Sequence, residues 1–108
     1  MNLNTTKLGT YLRELRNLNG ETLHQVSKQT DIDSPLLSKI ERSERLPTSD
    51  QIKKLAKYYN IAIDKLRTQS LAEKILKDYG ANDITHNAVK MVNEQLIEYK
   101  KKNKTQVD

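Results

Sequence analysis

The chain has no cysteine, no tryptophan and no phenylalanine. Without cysteine there is neither a disulfide framework nor a thiolate-ligated zinc site, and the lack fits a reducing compartment. Five tyrosines are the whole aromatic complement, so any core must be mainly aliphatic. Glycine occurs three times and proline twice, and none of them forms a glycine-rich phosphate loop or a nucleophile elbow. No apolar run approaches the roughly 18 residues of a membrane helix, and no stretch has the make-up of a signal peptide. The expectation is a cytoplasmic protein with no membrane partner. Period-two alternation is scarce as well, whereas Leu, Ile, Lys, Glu and Gln dominate, a composition that favours an all-α bundle.

What is present bounds the size of the answer. A chain of 108 residues, 35% hydrophobic, suits one domain with an appendage and has no room for a large active-site cleft. Its 19 Lys and Arg against 14 Asp and Glu leave a net charge of +5, which makes an acidic polymer a plausible partner without specifying one. Cut after Leu66, the chain has 11 basic and 8 acidic residues before the cut and 8 and 6 after it. Neither part is a dedicated polycation, so specificity must come from placement.

Met1 to Thr6 is polar and reads as a frayed end. Leu8, Leu12 and Leu15 then recur at one-face helical spacing, giving a first helix from Lys7 to Leu18 that Asn19-Gly20 terminates. Thr22 caps a second helix with Leu23, Val26 and Ser27 inward, ending near Gln29 or Thr30. The link Thr30-Asp31-Ile32-Asp33 is short and carries one apolar plug, so the second and third helices meet steeply, as in a helix-turn-helix. Asp33 or Ser34 caps the third helix and Pro35 falls in its first turn, where a missing N–H costs nothing. Leu37 and Ile40 anchor this helix on one side, while Ser34, Ser38 and Lys39 fall on the other. Thr48 or Ser49 caps a fourth helix with Ile52, Leu55, Ala56 and Tyr59 inward, and a short fifth spans Ala62 to Leu66. Leu8, Leu12, Leu15, Leu23, Val26, Ile32, Leu37, Ile40, Ile52, Leu55, Ile61 and Leu66 form the expected core.

Three groups of residues at this spacing carry a resemblance. They are Leu12-Arg-Glu-Leu-Arg16, Thr22-Leu-His-Gln-Val-Ser27, and Leu37-Ser-Lys-Ile-Glu-Arg42 followed by Leu46-Pro-Thr48. From about Leu8 to Leu66 the chain resembles the Cro-type, lambda-repressor-like (XRE) helix-turn-helix family. The resemblance implies five helices, with the third in the DNA major groove and the start of the second against the backbone. It also implies a structural ion pair between Arg16 and Glu41, tying the first helix to the end of the third. The chain departs from the family in having Asp31 and Ser43 where glycine is frequent, and Leu23 where a phosphate-holding glutamine is common.

On this reading Ser34, Pro35, Leu36, Ser38 and Lys39 are the base-contacting candidates. Lys39 can donate to guanine O6 or N7, and Leu36 either joins the core or meets a thymine methyl. Thr22, Leu23 through its backbone N–H, Arg42, Ser43 and Arg45 are the phosphate-contacting candidates, which position the protein without reading sequence. Asp31 and Asp33 serve as turn and cap rather than as an acid–base pair. His24 and His86 lack supporting ligands at metal spacing, so no metal and no cofactor is expected, and no catalytic constellation marks an enzyme.

Beyond Leu66 the family pattern ends. Leu71, Ile75, Leu76 and Tyr79 are helically spaced up to Gly80, and Asn82 or Asp83 caps a last helix striped by Ile84, Ala88, Met91, Val92, Leu96 and Tyr99. The expected organisation is a DNA-binding domain over 7–66, a helical extension over 67–99, and a solvated, disordered basic tail over 100–108. Leu71, Ile75, Leu76, Ile84, Ala88, Met91, Val92 and Leu96 are the candidate dimer interface, the competing arrangement being a helix folded back on its own domain. The reading is a dimeric transcriptional repressor on an inverted-repeat operator in double-stranded DNA. The alternative is an antitoxin-type DNA-binding protein whose C-terminal segment holds a protein partner.

Overall fold

The computed structural model describes residues 6–106, and of the expected frayed end Met1 to Thr6 all but Thr6 lies outside them. The described residues form six α-helices and no strand: α1 (Leu8–Leu18), α2 (Leu23–Thr30), α3 (Ser34–Glu41), α4 (Ser49–Tyr59), α5 (Ile63–Tyr79) and α6 (Asp83–Gln106). The chain divides into two compact units, one ending at Lys74 and the other beginning at Ile75.

Local chemistry sets most of the boundaries in the first unit. Gly20, at φ 66°, closes α1, with Glu21 N–H on the Arg16 carbonyl at 3.1 Å and Gly20 N–H on the Asn17 carbonyl at 3.0 Å. This is a Schellman ending. Thr22 and Gln25 cap α2 reciprocally, and Thr48 and Gln51 do the same for α4, each pair satisfying two otherwise orphaned N–H groups. Asp33 caps α3 by accepting from Leu36 N–H at 2.8 Å. Asp31 ends α2 with φ 58°, and Ser43 follows α3 with φ 62°. Both places where the family favours glycine therefore keep the left-handed backbone, which costs roughly 1–2 kcal/mol for a residue with a Cβ.

Leu8, Leu12, Val26, Ile32, Leu37, Ile40, Ile52, Leu55, Ala56 and Leu66 are buried and form the core. Each of the Leu, Ile and Val side chains contributes roughly 1.5–3 kcal/mol on full burial. Leu23 and Ile61, expected at the centre, are half-buried at its edge, and Leu15 is likewise only partly covered. The helix α3 packs against α1 and α2, and α2 packs also against α4.

Two expectations are corrected. The break expected between Leu66 and Leu71 does not occur, because Arg67-Thr-Gln-Ser70 contains neither glycine nor proline to stop a helix; α5 runs unbroken from Ile63 to Tyr79. Its face at Leu66, Ser70 and Glu73, spaced i, i+4 and i+7, turns towards the first unit: Leu66 and Ser70 are buried, and Glu73 accepts from Leu8 N–H at 2.9 Å. The first unit reaches Lys74.

The second correction concerns the basic tail, since α6 continues to Gln106 and includes Lys100 to Lys102. Lysine is a good helix former and favourable near a helix C-terminus, and Lys101 also pairs with Glu98 one turn back at 3.8 Å. Residues 107–108 lie outside the described range. Within the second unit Gly80, at φ 87°, ends α5. Asn82 then caps α6, its Oδ1 accepting from Thr85 N–H at 2.9 Å.

Candidate nucleic-acid interface

The helix α3 is held from beneath and open above. Leu37 and Ile40 are 2% and 1% exposed, and their spacing leaves the opposite side free. There Pro35 and Lys39 are exposed, and Ser34 and Ser38 are partly so. Leu36 is half-buried and packs against the core, on the core side of its two expected roles. Lys39 has no ion-pair partner among the described residues, so its ammonium can reach a base edge or a phosphate without breaking a contact.

The loop after α3 holds two arginines in different states. Arg42 is engaged, with Nε on the Ser38 carbonyl at 3.3 Å and Nη1 on Glu44 Oε1 at 3.3 Å. Arg45 is exposed and lacks an ion-pair partner among the described residues. A phosphate approaching Arg42 must compete with Glu44, whereas one approaching Arg45 meets no rival. At the start of α2 the Thr22 hydroxyl accepts from Gln25 N–H at 3.1 Å, and the Leu23 side chain packs against the core. The remaining N–H groups of that first turn, at the positive end of the helix dipole, are free to meet an anion.

Arg16 and Glu41 come together as a bidentate pair. Arg16 Nε and Nη2 donate to the two Glu41 carboxylate oxygens at 2.9 and 3.0 Å, while Nη1 donates to the Glu21 carbonyl at 2.9 Å. Their side chains are 13% and 7% exposed. The Glu41 hydrogen bond keeps the Arg16 guanidinium even more firmly protonated than usual. Tyr59 lies beside this pair: burial first, then the Glu21 and Glu41 carboxylates, push its phenol up to about 12. These charges fasten α1 to the end of α3 and are too enclosed to touch DNA. Asp31 and Asp33 act as helix terminus and cap, and no group of three or more His, Cys, Asp or Glu able to hold a metal exists among the described residues.

The candidate dimer residues are exposed apart from Ile75. Leu71, Leu76, Ile84, Met91, Val92 and Leu96 are 51–82% exposed, Ala88 is exposed and Ile75 half-buried. Val89, absent from the expected set, is 47% exposed and lies on the same stripe, three and seven residues before Val92 and Leu96. Sequence reasoning also missed Gly9 and Glu73. An isolated glycine between Leu8 and Leu12 is a signal of close helix approach. Nothing in the sequence ties Glu73 to Leu8, 65 residues away.

A helix anchored by its inner face, presenting serines and a free lysine, and running into a loop with a free arginine suits the groove and phosphates of duplex DNA. The helix-turn-helix family model matches residues 12–66. A search of curated proteins returns no match to the chain. With the matched span running from within α1 into the start of α5, the chain belongs to the lambda-repressor-like (XRE) helix-turn-helix family and is a DNA-binding regulator.

Proposed function

We propose that the protein is a sequence-specific transcriptional repressor that binds an inverted-repeat operator in double-stranded DNA as a homodimer in the cytoplasm. The observation that carries this reading is the outward row of Lys39, exposed, with Ser34 and Ser38, partly exposed, on a helix whose other face is buried through Leu37 and Ile40. Lys39 and the serines, with Pro35 beside them, read base edges; Arg45, Arg42, Ser43 and the first turn of α2 at Thr22 and Leu23 hold phosphates. One such helix covers too few base pairs for useful discrimination, so two copies are needed. The support for pairing is the exposed stripe of α6, where Ile84 is 82% and Met91 60% exposed. Two-fold symmetry then places half-site centres about 34 Å apart, one turn of DNA, or a multiple of it.

The same stripe supports a second reading, in which α6 seats a different protein and the chain is an antitoxin-type regulator. Selection of bound duplexes from a random pool tests the main proposal, with light scattering of the purified protein beside it. Enrichment of an inverted repeat by a dimer is the expected result. Failure to enrich any sequence would refute sequence-specific binding; a monomer that selects a single half-site and co-purifies with a small basic protein would favour the second reading.

A further inference from the structure

The helices α2, α3 and α4 each begin with their own side-chain cap, from Thr22, Asp33 and Thr48. The helix α1 does not: its N-cap residue is Lys7, which makes no cap hydrogen bond, and its first turn has no acidic residue. Instead the first N–H of α1, on Leu8, donates to Glu73 Oε2 of α5 at 2.9 Å. A carboxylate there satisfies an orphan donor and complements the positive end of the helix. The side-chain amide of Gln69, one turn before Glu73, also donates to the Thr6 carbonyl, so α5 holds the start of α1 from two residues.

The residue following Leu8 is a glycine that lies close against the recognition helix. A Cβ built on Gly9 would lie 2.2 Å from the Ile40 carbonyl oxygen and 2.7 Å from that of Glu41. Both obstacles are backbone, and no side-chain rotation relieves them. The last turn of α3 thus rests directly on the α1 backbone, with no slack for α1 to move towards it. Two turns further along α1, Arg16 holds the Glu41 side chain. Lys39, the candidate base reader, immediately precedes Ile40.

We propose that Glu73 is a positioning residue for DNA reading: by capping α1 at Leu8 it sets the seat of Gly9 against Ile40 and Glu41, and so the angle at which α3 presents Lys39. This rests on the DNA-binding reading but concerns residues outside it, since Gly9 and Glu73 both fall beyond the matched span of 12–66. The test uses the full chain carrying Glu73→Ala or Glu73→Gln, held well below its unfolding temperature, with two readouts. One is the ratio of affinity for the selected operator to that for random duplex. The other, taken without DNA, is the set of backbone amide shifts from Ile40 to Glu44.

Glu73→Ala is expected to move those shifts and lower the ratio about tenfold, mainly through operator affinity. Glu73→Gln, whose amide oxygen still accepts from Leu8 N–H, is expected to restore most of both. A Glu73→Ala protein with lowered thermal stability but unchanged shifts and ratio would show an ordinary structural contact and overturn the proposal, as would a Gln variant no better than Ala. Shifts that move in a protein whose wild type discriminates no DNA would support the positioning and sink the DNA reading instead. Gly9→Ala is a harsher second variant: a folded protein with native α3 shifts would contradict the close seat.

Discussion

The first unit and α6 use their apolar residues in opposite ways. Among the described residues of the unit ending at Lys74, ten apolar side chains are at most 5% exposed. Along α6 Ile84, Val89, Met91, Val92, Leu96, Ile97 and Tyr99 are all at least 46% exposed, and among the described side chains of the helix Thr85 alone is buried. Helicity in the first unit is secured by tertiary packing as well as by caps. In α6 it rests on local means: the Asn82 cap, Asp83 in the first turn, and pairs such as Glu98 with Lys101. Amphipathic patterning thus marks a surface that seeks cover without saying whose surface provides it. In the first unit the cover is the chain's own; for α6 we assign it to a second copy.

The sharpest way to break this comparison is to disturb the enclosed Arg16–Glu41 ion pair of the first unit. Arg16→Ala leaves the Glu41 carboxylate buried without its partner and is expected to cost about 3 kcal/mol of stability. Chemical denaturation measures it, and DNA binding at low temperature should survive. An unchanged unfolding midpoint together with lost affinity would make Arg16 a direct DNA contact.

Next in size is the α6 stripe. Val92→Glu with Leu96→Glu should leave the first unit folded by circular dichroism, convert dimers to monomers in light scattering, and weaken operator binding about 100-fold through loss of bivalency. A protein that was monomeric beforehand, or that unfolds without changing its oligomeric state, would reject the dimer. Smaller still is the split between reading and holding. Lys39→Ala is expected to cost roughly 1–3 kcal/mol at one base position per half-site, whereas Arg45→Ala weakens all duplexes alike and flattens the salt slope by about one. Equal losses for Lys39→Ala on operator and random DNA would remove it as a reader.

The smallest effect is alkaline. Tyr59 in the fold keeps its proton up to about 12, against an ordinary value of 10.0. Between these values the folded chain binds a proton that the unfolded chain has released, so the stabilisation present below 10 is lost as pH rises towards 12. Tyr59→Phe removes this titration, and the drop in denaturation midpoint from pH about 9 to about 11 should be smaller than in the wild type. Identical drops would assign the alkaline loss to other groups.

The sequence alone determined the helix-turn-helix. Its starts and stops are local: Thr22, Asp33 and Thr48 each act within three residues, Gly20 needs only its own missing Cβ, and Leu37 and Ile40 declare the inner face of α3 by spacing. The continuity of α5 was open to the same reasoning, because Arg67 to Ser70 holds no helix breaker; it was obscured by a family pattern that ends at Leu66. Only the tertiary structure decided that Glu73 caps α1, that Gly9 lies against the carbonyls of Ile40 and Glu41, that Leu23 and Ile61 stand at the margin of the core, and that Leu15 is only partly covered. Each depends on the distance between backbones far apart in the chain, and side-chain periodicity gives a direction but no distance.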